Sequence, residues 1–151
     1  MKLHLGVKDT AYVDHPGVTT GDVAEHLERK YGVMGHFYAD DQEKIHSMLT
    51  ESMNDSLIDI MNGRQPPKLD KVFNGATSEI KRDFTKFIRS KAMDGQVAGV
   101  PTKASLAGVS SRFKSGNRNT ASRKKVRANP VRPSFIDTGL YLRSFVAFVE
   151  K

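Results

Sequence analysis

Five histidines, His4, His15, His26, His36 and His46, are the side chains of this chain best suited to hold a transition metal. No two of them stand three or four residues apart and there is no His-Glu-x-x-His, so no single helix offers two imidazoles to one ion. Each reads as a solvated or capping residue. Asp40, Asp41 and Glu43 suggest a divalent-cation site, yet carboxylates in the first turn of a helix are what its dipole favours. The chain has no cysteine, which removes thiolate ligands, a Cys nucleophile and disulfides together. There is also no Gly-rich phosphate loop and no Gly-x-Ser-x-Gly elbow. The expectation is a protein without catalytic residues, metal or cofactor, and not an enzyme.

Charge is the second source of chemistry, and it is unevenly placed. Of 24 basic and 17 acidic residues in 151, nine basic and no acidic ones fall between Gly95 and Ile136. They are Lys103, Arg112, Lys114, Arg118, Arg123, Lys124, Lys125, Arg127 and Arg132. The formal charge of +7 thus comes from one segment, which suits contact with phosphates or with an acidic protein surface. Only Phe113 and Phe135 flank the run, too few for a base-stacking platform, so any DNA contact is expected to be non-specific. Residues 115–130 read as a basic arm, a long loop or an extended hairpin around Gly116-Asn117, because they show no apolar period.

The elements that would carry these groups follow from periodicity. Lys2 to Lys8 alternates, with Leu3, Leu5 and Val7 on one side, and reads as a half-buried strand. Pro16-Gly17 is a turn, after which Thr20 is expected to cap a helix running to about Tyr31, with Gly32 as its stop. The longest periodic stretch begins near Met34 or Asp40 and ends at Asn62, carrying Ile45, Met48, Leu49, Met53, Leu57, Ile60 and Met61. It reads as the main core helix, its methionines as core, and Pro66-Pro67 as an exposed connection. A third helix is expected from Thr77 or Ser78 to Met93, with Ile80, Phe84, Phe87 and Ile88 inward and Gly95 as stop. A fourth opens at Pro101-Thr102 with a Leu106, Val109, Phe113 stripe. No stretch of eighteen apolar residues and no signal-like N-terminus is present, so nothing in the sequence argues for a membrane.

The last twenty residues, RPSFIDTGLYLRSFVAFVEK, organise the rest. Pro133 ends what precedes it, Asp137 and Thr138 offer caps for a short helix near Gly139, and Phe145 to Val149 has the composition of a buried strand. That strand is a natural partner for Lys2–Lys8. The fold class expected is α+β, a single domain over residues 1–151, with three or four helices packed on a small antiparallel sheet that contains both terminal strands.

The string Pro133, Ile136, Thr138, Gly139, Leu142, Arg143, Ser144 and the strand after it resembles the C-terminal signature of tailed-bacteriophage neck and tail-completion proteins. Here Leu140-Tyr141-Leu142 stands where the commoner form has one residue and a Leu. The resemblance implies a structural virion protein that forms a homo-oligomeric ring at the head-tail junction. It would join a portal-side connector to the tail tube or tail terminator, with genomic DNA passing non-specifically through the lumen. It implies a subunit interface built from Pro133, Ile136, Thr138, Gly139, Leu142, Arg143, Phe145 and Phe148. Arg112, Lys114, Arg118, Arg123, Lys124, Lys125 and Arg127 would face the lumen or an acidic neighbour. Before assembly the protein would reside in the host cytoplasm. The alternative is a small non-specific nucleic-acid-binding protein that works through the same arm.

Overall fold

The computed structural model describes residues 1–13, 16–106, 108, 131–136 and 139–150. Strand β1, Lys2–Val7, pairs antiparallel with β2, Phe145–Glu150, in the register Lys2↔Glu150 to Val7↔Phe145. The ladder continues one step further, where Lys8 N–H donates to the Ser144 carbonyl at 2.7 Å. Successive strand residues point to opposite faces. Leu3, Leu5, Val7, Phe145 and Ala147 therefore turn into the core, while Lys2, His4, Phe148 and Glu150 share the outer face. The fold is α+β, with both terminal strands in one small sheet.

Helix α1, Thr20–Tyr31, begins one residue earlier than the sequence suggests, because Thr19 and not Thr20 caps it. Thr19 Oγ1 accepts from Asp22 N–H at 3.3 Å and the Asp22 carboxylate accepts from Thr19 N–H at 2.9 Å, a reciprocal capping box. Thr20, fully buried, has a different task. Its hydroxyl donates to the Lys8 carbonyl at 2.8 Å and accepts from Thr10 N–H at 2.9 Å, which ties the helix to the exit of β1. Gly32, in the left-handed region at φ 60°, ends α1 and starts α2, Val33–Met61. Two N–H groups at the start of α2, those of Met34 and Gly35, donate to the Glu28 carboxylate at 2.7 and 3.1 Å.

Helix α2 has 29 residues and is about 43 Å long at 1.5 Å per residue. Its neighbour α4, Asn74–Arg89, has only 16, or about 24 Å. The consequence corrects the expectation of a helix buried along its length. Val33, Phe37 and Ile45 are buried and Met48 and Leu49 half-buried, but Met53, Leu57, Ile60 and Met61 lie in solvent, as does Ile58. Between the two comes α3, Leu69–Val72, a single turn absent from the sequence reading.

Helix α4 does bury Ile80, Phe84, Phe87 and Ile88, as its spacing requires. It starts before Thr77 and stops at Arg89, four residues short of Met93. Lys91 takes a positive φ there, and Met93 folds back as a buried plug through a series of turns. Gly95 is consequently no helix stop; its N–H donates to the Val100 carbonyl at 3.0 Å. Helix α5, Lys103–Leu106, is one turn long, and Leu106 is exposed instead of forming a core stripe. Val109 and Phe113 lie outside the described residues. Helix α6, Leu140–Ser144, starts from Gly139 at φ 73°, with no side-chain cap, and runs directly into β2. Asp137 and Thr138 are outside the described residues.

The core closes around aromatic rings. Phe84 of α4 and Phe145 of β2 stack with centroids 4.0 Å apart and planes 13° from parallel, and Phe37 meets both edge-on at 5.2 and 6.3 Å. Tyr141 packs edge-on against Phe84 at 6.0 Å. Burial holds the Tyr141 phenol far above its ordinary range, and the Glu28 charge adds to this, so it stays neutral.

Candidate functional site

The terminal signature does not form one surface. Leu142 and Phe145 are consumed by the core and Ser144 is buried beside them, so the first two cannot meet another subunit while the fold is intact. Arg143 and Phe148 face outward. Pro133 and Ile136 are half-buried, Gly139 sets up α6, and Thr138 lies outside the described residues. So do Arg112, Lys114, Arg118, Arg123, Lys124, Lys125 and Arg127 of the basic arm.

On the outer sheet face Phe148, 51% exposed, stacks on His4 of the opposite strand at 4.9 Å and 8°. His4 Nε2 stands 3.0 Å from a Glu150 carboxylate oxygen, close enough for an ion pair with the protonated ring but not aligned as a hydrogen bond. An aromatic cross-strand pair contributes up to about 1 kcal/mol. Half of the Phe148 ring nevertheless remains in water.

A groove runs between α1 and residues 132–136. Its floor is apolar, from Val23, Leu27, Tyr31, Phe135 and Ile136, all partly exposed. Phe135, at φ 67°, turns its ring against Tyr31 with centroids 5.1 Å apart. Ser134 and Ser105 anchor the far wall. Ser134 Oγ accepts from Thr102 N–H at 3.1 Å, and Ser105 Oγ donates to the Arg132 carbonyl. Both serines are buried, so this wall is fixed and not a loose loop. Among the described residues, His26, Tyr31 and Arg132 are the ionisable side chains that line the groove.

The remaining ionic feature is Asp83, a carboxylate that sequence reasoning passed over. It stands on the inward face of α4, 5% exposed, with Lys44 of α2 at 2.6 Å and Lys86 at 3.3 Å. Burial alone would raise its pKa. The Lys44 and Lys86 hydrogen bonds and charges outweigh that and leave it below the usual carboxylate range. A carboxylate held ionised at neutral pH with its oxygens engaged is a poor general base or acid, and the group reads as an anchor between α2 and α4. The signal was available: position 83 falls among Ile80, Phe84 and Phe87, with a lysine three residues on.

Among the described residues no group of three or more His, Asp or Glu is arranged to hold a metal ion. His46 instead shares a hydrogen bond with Tyr38 at 3.1 Å. No helix among them is long and apolar enough to cross a membrane. Comparisons with protein-family models, curated proteins and solved structures found no match.

Proposed function

We propose that the chain is a structural virion protein of a tailed phage, a neck or tail-completion component that self-associates into a ring and joins the portal-side connector to the tail. The observation that carries this reading is the amount of apolar side chain left uncovered on a well-packed subunit: Phe148 on the outer sheet face, and Met53, Leu57, Ile58, Ile60 and Met61 on the distal half of α2. Scattered exposed apolar residues are ordinary, but grouped ones mark contact surfaces. The C-terminal signature supports it from the sequence side, with Phe148 and Arg143 as its members exposed on the surface. In that setting the basic segment lines the lumen or meets an acidic neighbour, and the protein waits in the host cytoplasm until assembly.

Images of purified particles of the encoding phage test this directly. Density for the chain is expected at the head-tail junction, and particles without the polypeptide would end the proposal. A Phe148→Asp variant is expected to fold, because the side chain is outside the core, and to fail in assembling infectious particles. A different outcome would favour a nucleic-acid-binding role. The isolated subunit would bind duplex DNA tightly, with a steep inverse dependence on salt, and would lose that binding when Arg118, Arg123, Lys124, Lys125 and Arg127 become Ala.

A further inference from the structure

We infer that the subunits meet edge to edge, the outer edge of β1 in one copy pairing antiparallel with the outer edge of β2 in the next, so that each two-stranded ribbon becomes part of one continuous sheet. This deepens the ring reading above and rests on it.

The ladder shows which backbone groups are left over. Lys8 N–H donates to the Ser144 carbonyl in the register of the strands, so that pair occupies a hydrogen-bonded position, and so do Gly6 with Val146, His4 with Phe148 and Lys2 with Glu150. The residues between them aim N–H and C=O away from the partner strand. On β1 these are Leu3, Leu5 and Val7, and on β2 they are Phe145, Ala147 and Val149. Phe145 agrees with this phase, since its N–H donates to the Leu142 carbonyl and not to the ladder. Among the described residues no hydrogen bond outside the ladder reaches the backbone of Leu3, Leu5, Val7, Ala147 or Val149. Such rows of donors and acceptors are a template for a further strand. The side chains of the same five residues point to the inner face of the sheet yet stay partly exposed, as at an uncovered rim.

The occupant is a second copy, because the two edges complete each other. Both strands have six residues, and both turn apolar side chains inward at the positions whose backbone is open, so pairing them moves no polar side chain to the inner face. Charge selects among the pairings. Lys2 and Lys8 flank β1, and Glu150 is the one charged residue of β2. Two copies of β1 centred on Leu5 would set Lys2 opposite Lys8 at both ends, which destabilises a ladder. β1 against β2 sets Lys2 toward Glu150, as the chain already does internally, and the Glu150 carboxylate is open to solvent with His4 Nε2 at 3.0 Å. β2 against β2 would leave every β1 edge bare. Only β1 against β2 uses both edges of each copy, and a contact between unlike surfaces propagates until a ring closes. In this phase Phe148 of the neighbour falls on the outer face beside His4 or Gly6. A Cβ at Gly6 would meet no atom within 4 Å, so that face has room for a ring that stands half in water.

Amide hydrogen exchange on the full-length chain tests this, with exchange run on dilute and on concentrated protein, quenched and read by NMR, while mass is followed by light scattering. In the dilute subunit the N–H groups of Leu3, Leu5, Val7, Ala147 and Val149 should exchange freely beside protected ones at His4, Gly6 and Lys8. In the concentrated multimer both open rows should slow by about tenfold or more. Lys2→Glu, at an exposed position, should weaken association by about twofold to fivefold. Tighter association of that variant, or protection of one row alone, would mean two-fold pairing and would overturn the inference. So would multimers with neither row protected, although the ring itself would then stand on another contact. Rows already protected in the dilute subunit would mean that the chain covers its own edges, and this, or the absence of any multimer, would also overturn it. Particle images judge the ring reading separately, since they do not depend on which edges meet.

Discussion

Asp83 and its two lysines show how one polar group can fasten two helices. Hydrogen bonds to charged groups contribute about 1.5–3 kcal/mol each when well formed, and solvent around Lys44 and Lys86, more than half exposed, reduces this. Asp83→Asn is expected to destabilise the fold by about 1–3 kcal/mol in urea denaturation. The pH dependence has a definite sign. The folded Asp83 carboxyl lies below its ordinary value, so its stabilisation is complete above about pH 4 and is lost as pH falls through the folded value. Lys44 is raised by its hydrogen bond to Asp83, so its share holds below about pH 10 and fades as pH rises through the folded value. Denaturation midpoints measured from pH 2 to 11 should show both limbs in the native chain and should lose most of the acid limb in Asp83→Asn.

The two phenylalanines of β2 separate in the same residue-level terms. Phe145 is fully buried against Phe84, and Phe145→Ala is expected to cost about 3–5 kcal/mol by urea denaturation. Phe148→Asp, on the open face, should change stability by less than about 1 kcal/mol. The run Phe145 to Val149, FVAFV, reads as apolar throughout, so its composition located the strand but hid its alternation. The register with Lys2–Val7 supplied what was missing, because pairing His4 with Phe148 turns that ring outward.

At the level of elements, local rules were legible and mutual coverage was not. The two terminal strands, the stop of α1 at Gly32 and the inward face of α4 all follow from spacing and residue type within a short window. The extent to which α2 is covered depends on the length of α4, and a periodic apolar stripe looks the same whether its partner is in the same chain or in another. The ends of α4 and α5 were missed for a related reason: positive φ at Lys91 and a one-turn helix at Lys103 are set by packing of the 90–106 region. Gly32 gives an element-scale prediction. A Cβ there would find space, its nearest neighbour being the His36 ring at 3.6 Å, so Gly32→Ala reports the cost of the left-handed conformation alone. About 1–2 kcal/mol of destabilisation is expected, seen as a lower thermal midpoint, with the α1 and α2 helical signal retained in the native baseline.

For the whole molecule, closure of the fold requires residues nearly a full chain length apart to meet. Lys2 stands opposite Glu150, and the last strand completes the aromatic core begun by α2 and α4. Such distant closure is entropically costly and slow relative to local contacts. Because the facing ends of the strands are already side by side, an Asn-Gly insert between them would convert the pair into a hairpin. New termini could then be opened in the exposed Gln65–Pro67 connection. Such a circular permutant should refold faster than the parent chain in stopped-flow dilution from urea, while its helical and aromatic spectra stay the same. It would also move both ends of the polypeptide away from the sheet, leaving that rim clear for fluorescent or affinity fusions carried elsewhere.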